Sequence, residues 1–399
     1  MMTLPELKDK IKLRSTEYLQ EIISIRRHLH AYPELGFREY NTSDYIATRL
    51  SDYGISFRQG IAKTGIIGII EGIQPETKVI ALRADMDALP IHEKENKEYR
   101  SCTDGVMHAC GHDIHMACLL GAAKILNELK SEFNGTIKLF FQPSEEMFPG
   151  GALAMINEGA LENPTVQNVF GQHVLPQLET GKIGLKAGKY MASTDEIYLT
   201  VKGKGGHAAT PELVINPLYI ASAILLELEK EFNNNKPQDS HSVLAFGRII
   251  GEGRTNIVPD EVTIDGTIRA FDETWRIKAH EIILSVATAV AKNMKGSCDV
   301  NIAKGYPFLV NDEALSLQIK QLAIEYLGAE NVVDLEMRLT AEDFAYFSQT
   351  VPSCFYRLGV RNEEKGITSN IHTSTFDADE NCMRTGMGLM AWIAINQLK

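Results

Sequence analysis

Two rhythms of apolar residues succeed one another along the chain. Over roughly the first 180 residues, short apolar runs at Thr64–Glu71, Lys78–Asp85, Thr136–Gln142 and Val166–His173 are continuous rather than alternating. That is the pattern of strands buried on both faces, which helices must cover. Between them, Met116–Lys130 carries Leu119, Leu120, Ala123, Ile125 and Leu126 at a helical period. An α/β layer with a largely parallel sheet is predicted.

From about Ala187 to Lys304 the rhythm changes. Glu196–Lys202 alternates Ile197, Leu199 and Val201 with Tyr198, Thr200 and Lys202, as a half-buried strand does. A helix follows over Asn216–Phe232, with Pro217 in its first turn. Strands at Ser242–Ile250 and Glu261–Phe271, a helix at Glu273–Met294 and a strand at Cys298–Ala303 complete the order β-α-β-β-α-β. This is the order of a ferredoxin-like split βαβ unit. After Tyr306 the first rhythm resumes, with a helix near Asp312–Leu327, an apolar run at Ser353–Leu358 and a terminal helix over Glu380–Leu398. A chain of 399 residues also exceeds what one core usually supports, about 250–300 residues. The expected fold class is α/β with two domains: residues 1–186 and 305–399 form one, and 187–304 an inserted α+β domain.

Charge and cysteine usage narrow the function. With 40 basic against 52 acidic residues the net charge is −12, which argues against a nucleic-acid partner. No apolar run of about 18 residues is present, so no membrane-spanning helix is expected. The stretch Met1–Tyr18 lacks the apolar core of a secretory signal. Cysteines at 102, 110, 118, 298, 354 and 382 form no compact disulfide framework, and a cytoplasmic protein with reduced thiols is expected.

Three of the predicted strands run into polar or acidic residues: Asp85-Met86-Asp87, Gln142-Pro143-Ser144-Glu145-Glu146, and Gln172-His173. In an open α/β sheet the carboxyl ends of the strands line one edge, where ligands bind. The densest chemistry is His108-Ala109-Cys110-Gly111-His112-Asp113-Ile114-His115. Thiolate and imidazole are natural ligands for zinc and similar ions, and one cysteine with three histidines in eight positions points to a metal. Histidines outside the ligand set would orient it by hydrogen bonds. Glu145 and Glu146 fit a division of labour in which one carboxylate binds metal and its neighbour takes a proton from water. His28 and His30 fall on an N-terminal helix ending before Pro33 and are read as packing residues.

The ordered motifs R-R-H-L-H-A-Y-P-E-L-G (Arg26–Gly36), L-R-A-D-M-D-A-L-P (Leu82–Pro90), M-H-A-C-G-H-D-I-H (Met107–His115), F-Q-P-S-E-E (Phe141–Glu146), G-Q-H (Gly171–His173), G-K-G-G-H-A-A (Gly203–Ala209), T-N-I-V-P-D (Thr255–Asp260), A-E-D-F (Ala341–Phe344) and N-I-H-T-S (Asn370–Ser374) cover nearly the whole chain. Together they resemble the amidohydrolase branch of the aminoacylase and carboxypeptidase-G-like metallopeptidase family. That branch includes hippurate hydrolases, N-acyl-amino-acid amidohydrolases and auxin-conjugate hydrolases.

The resemblance implies a di-metal α/β catalytic domain with an inserted ferredoxin-like lid that also forms a homodimer. It implies Cys110, His112, Glu146, His173 and His372 as ligands of two divalent ions (Mn, Zn, Co or Ni), with Cys110 placed to bridge. It implies Glu145 as catalytic base, His207 as a lid residue reaching a partner's active site, and Asn256 and Arg269 as holders of the substrate carboxylate. The substrate implied is a small N-acyl amino acid, cut into a carboxylic acid and a free amino acid.

The sequence departs from the wider family in two places, both typical of the amidohydrolase branch. Where that family has H-x-D, this chain reads Asp85-Met86-Asp87, and the usual bridging Asp is replaced by the cysteine motif around Cys110. Two other readings are open at this point: a dipeptidase or aminopeptidase, in which Glu342 or Asp343 would receive a free ammonium, and a metal-dependent binding protein without catalysis.

Overall fold

The computed structural model describes residues 2–95 and 97–399. The chain divides into two compact units: residues 1–190, 310–336 and 343–399 make the first, and 191–309 with 337–342 the second.

The first unit is built on an eight-stranded sheet. Its centre is four mutually parallel strands in the order Thr136–Gln142, Val79–Asp85, Asn168–Glu179 and Ser353–Arg361. Every residue of Val79–Asp85 and of Thr136–Gln142 is buried, as the continuous apolar runs predict. The helix His112–Glu128 covers the sheet together with Cys382–Gln397, and each is buried over most of its circumference. Gly121 lets these helices approach, since a Cβ there would come within 2.7 Å of the Met387 sulfur. Ile80, Leu82, Leu119, Leu139 and Met387 belong to the one large core this makes.

At its edge the sheet turns antiparallel. Ser56–Ile61 pairs with Gly65–Glu71, which pairs in turn with Thr136–Gln142. The outermost strand is mostly exposed and polar, so no apolar run announces it in the sequence.

The second unit is a four-stranded antiparallel sheet in the order Val243–Ile250, Glu261–Ala270, Ser193–Lys202, Ser297–Lys304. Its helices, Pro217–Asn235 and Glu273–Asn293, share one core with it, through Ile197, Leu199, Ile224, Leu228, Ile264 and Ile283. Both helices begin where a side chain accepts from an otherwise unpaired amide: Asn216 from the Leu218 N–H and Asp272 from that of Trp275. No helix of the described residues is long and apolar enough to cross a membrane.

Candidate metal centre

The carboxyl ends of the parallel strands of the first unit carry the polar residues singled out above. Val79–Asp85 delivers Asp85 and Asp87, Thr136–Gln142 delivers Glu145 and Glu146, and Asn168–Glu179 carries His173. The loop before the helix His112–Glu128 adds Cys110. Gly111 permits the turn between Cys110 and His112 by adopting a left-handed backbone, φ 87°. A C-terminal loop brings in His372, whose backbone N–H donates to the Ala109 carbonyl at 2.7 Å.

These side chains converge. Cys110 Sγ lies 3.3 Å from His173 Nε2 and 3.3 Å from His372 Nε2. Ligand atoms of Cys110, His112 and His173 lie within 4.8 Å of one another, as do those of Cys110, Glu146 and His372. Two three-membered sets therefore share the one thiol. A third set, His112, Glu145 and Glu146, places Glu145 against both.

Hydrogen bonds behind the cluster fix which atoms face it. His112 Nδ1 donates to the Asp87 carbonyl at 2.8 Å, and His173 Nδ1 to the Val174 carbonyl at 2.8 Å, so each ring turns its Nε2 toward the cluster. His112 Nε2 is buried without a partner. Glu146 Oε1 is likewise unpartnered, though His372 Nε2 lies 3.1 Å away. Buried nitrogen and oxygen acceptors left unsatisfied beside a thiol are the donor set a divalent cation wants.

The electrostatics agree. Burial, then the carboxylates of Glu146, Glu145 and Asp85, push the Cys110 thiol well above its usual range. Burial opposes protonation of His112, but Asp85 and Asp87 outweigh it and hold the imidazole up at about 10. The cluster thus draws positive charge, and with no cation it can only take protons.

Not every histidine of the run is available. His115 donates from Nδ1 to Asp85 at 2.6 Å and accepts at Nε2 from the Val174 N–H at 2.9 Å, so both its nitrogens are used. His108 is buried with neither nitrogen bonded, and burial drives its pKa down to about 4, leaving it neutral. His30 is bound to Asp113 at 2.8 Å and Glu93 at 3.3 Å, as a scaffold residue.

Asp87 holds more than sequence reasoning assigned to it. One carboxylate oxygen accepts from the Glu145 N–H and the other from the Glu146 N–H, both at 2.9 Å. Ser144 makes the turn into the pair with φ 49°. The sequence offered Asp87 as a residue that orients a ligand, not as a clamp on two backbone amides. Asp343, a candidate ammonium acceptor for a peptidase, is instead engaged by Arg83 at 2.9 Å, Gln142 at 2.8 Å and the Ala152 N–H at 2.9 Å.

The remaining predicted site residues lie in the second unit. His207 sits on the exposed strand Gly206–His207, opposite Ile257. Its Nδ1 accepts from the Ala209 N–H at 3.0 Å. Asn256 is its neighbour, with its carbonyl accepting from Ala208 N–H at 3.1 Å. Arg269 lies on another strand, facing Thr194 and Val243.

The model of peptidase family M20/M25/M40 matches residues 81–396. The chain is 37% identical over 388 residues to an IAA-amino acid hydrolase (ILR1-like 2) of Arabidopsis thaliana, covering 97% of this chain and 87% of the relative. It is 36% identical over 383 residues to N-acetyl-L-cysteine deacetylase of Bacillus subtilis, covering 96% and 89%. Among solved structures, the YXEP protein of Bacillus subtilis, described as a dinuclear metal-binding peptidase, superposes with a TM-score of 0.82 at 32% identity, covering 96% of this chain and 99% of that one.

Proposed function

The chain belongs to peptidase family M20/M25/M40, and from that premise we propose that it is a metal-dependent amidohydrolase which cuts N-acyl amino acids into a carboxylic acid and a free amino acid. The observation that carries this reading is the pair of three-ligand sets sharing Cys110. Cys110, His112, Glu146, His173 and His372 are the residues that would hold two divalent ions. Manganese, zinc, cobalt and nickel all suit such a donor set. When bound, the ions lower the pKa of water toward neutrality and polarise the amide carbonyl.

Glu145 takes a proton from that water and returns it to the leaving amine. Its place beside Glu146, with both backbone amides tied to Asp87, supports the assignment. The second unit acts as a lid and a homodimer surface, and His207 contributes an oxyanion donor. Its edge strand Val243–Ile250 is largely exposed, which suits pairing with a second copy. Asn256 and Arg269 hold the substrate carboxylate. The six cysteines are free thiols, which suits a cytoplasmic enzyme.

Relatives named as an IAA-amino acid hydrolase and an N-acetyl-L-cysteine deacetylase favour acylated amino acids over peptides. The test is a panel of N-acetyl, N-benzoyl and indole-acetyl amino acids, with matching dipeptides, assayed on metal-stripped protein resupplied with each ion. Turnover of acyl amino acids well above that of dipeptides is expected. Preference for dipeptides, or metal uptake with no turnover on any conjugate, overturns the reading.

A further inference from the structure

A cavity of about 680 Å³ opens in the first unit, and none of the metal-centre residues lines it. Its walls are mostly apolar and aromatic. His28 lies stacked on Tyr45 with ring centroids 4.0 Å apart and planes 18° from parallel. Tyr32 stands 4.9 Å from the same imidazole, and Leu29, Leu35 and Val106 complete the lining. Burial lowers the pKa of His28, so the imidazole offers a neutral flat face.

Two charged residues border this space, and they differ. Glu34 is spoken for: its carboxylate accepts from the backbone and side chain of Asn41 and from the backbone and hydroxyl of Thr42, at 2.7–3.2 Å. Arg38 is not, for among the described residues its guanidinium has no carboxylate, hydrogen-bond or ring partner. A drug-sized pocket with apolar walls and one unused cation has the ingredients of a ligand site. In a chain of net charge −12, such a cation is the feature that selects.

We propose that this cavity binds a small aromatic monocarboxylate, its ring against the His28–Tyr45 stack and its carboxylate on Arg38. A planar ring packs against these aromatic walls at little conformational cost, while guanidinium and carboxylate match as a bidentate pair. The site is independent of the metal centre, yet its wall touches it through the backbone. The Glu34 carbonyl accepts from the Ala88 N–H at 2.8 Å, one residue beyond the Asp87 clamp.

The test uses the metal-loaded full chain. Crystals soaked in 4-bromobenzoate should show a bromine anomalous peak inside this cavity, with the carboxylate at Arg38. In solution, calorimetry with benzoate should show a site that Arg38→Gln weakens roughly tenfold, the worth of one charge-assisted contact. Benzamide, of the same shape without charge, should not distinguish wild type from variant. Bromine at the metal centre alone overturns the proposal. So does a benzoate affinity unchanged by Arg38→Gln, which would reduce any crystal peak to binding at crystal concentration only. None of these readouts needs turnover, so the result stands apart from the proposed activity.

Discussion

Two buried polar clusters meet at the first turn of the helix His112–Glu128, and both are made of histidines and acids. Behind the turn, Arg26 reaches Asp113 at 2.7 Å and Asp377 at 3.0 Å, while His30 spans Asp113 and Glu93. Burial disfavours the guanidinium, but Asp113, Asp377 and Glu380 hold its pKa well above the usual value. One oxygen of Asp113 keeps an unused lone pair, yet the charge it belongs to is matched. In front of the turn no lysine or arginine among the described residues pairs with Glu146, and His112 Nε2 has no hydrogen-bond partner. The rear cluster closes its charges within the protein; the front one leaves them open. Openness, not composition, separates a site from a scaffold here.

Perturbations should fall out along that line. Removing metal with a chelator should abolish turnover entirely, and resupply of a divalent ion should restore it, as followed by rate and metal analysis. Next, Glu145→Gln should lower kcat by roughly 10²–10⁴-fold with metal content retained; a near-normal rate would take Glu145 out of the chemistry. On the rear side, Arg26→Met should cost about 3–5 kcal/mol of unfolding free energy in denaturant titrations, because Asp113 is left buried and uncompensated. An equally stable variant would make the contrast between the clusters empty.

His207→Ala should reduce kcat by roughly 10²–10³-fold, the loss of one oxyanion donor, with metal uptake unchanged. If rates stay put, the second unit has no part in the reaction. The smallest effect is expected of Asp87→Asn, about 10–100-fold in activity or metal affinity, since one of its two amide contacts survives. Loss confined to thermal stability would demote Asp87 to packing.

Much of this was readable before any coordinates. Val79–Asp85 and Thr136–Gln142 are wholly buried and mostly apolar because both faces are covered, and the fold class followed from them. Ser56–Ile61 escaped notice because an exposed edge strand has no reason to be apolar. Cys110 and His112 are legible as a local cluster, and Glu146 and His173 as polar residues at strand ends, whereas His372 is tied to them only by resemblance to a family. What the sequence withheld is the direction of hydrogen bonds. Asp87, His112 and His115 are all polar residues of short motifs, and only the partners of each atom reveal that His115 is closed while His112 is open. Arg83 and Asp343 were unreadable for the same reason, being 260 residues apart and joined through space.

Gly111 has a reach beyond its own turn. A methyl group there would press to within 2.6 Å of a Val174 side-chain carbon, and Val174 directly follows His173. The missing side chain therefore sets the separation between a loop and a strand that each bring a polar group to the same cluster. Replacing this one hydrogen would wedge the two halves of the cage apart without altering any of the groups that grip.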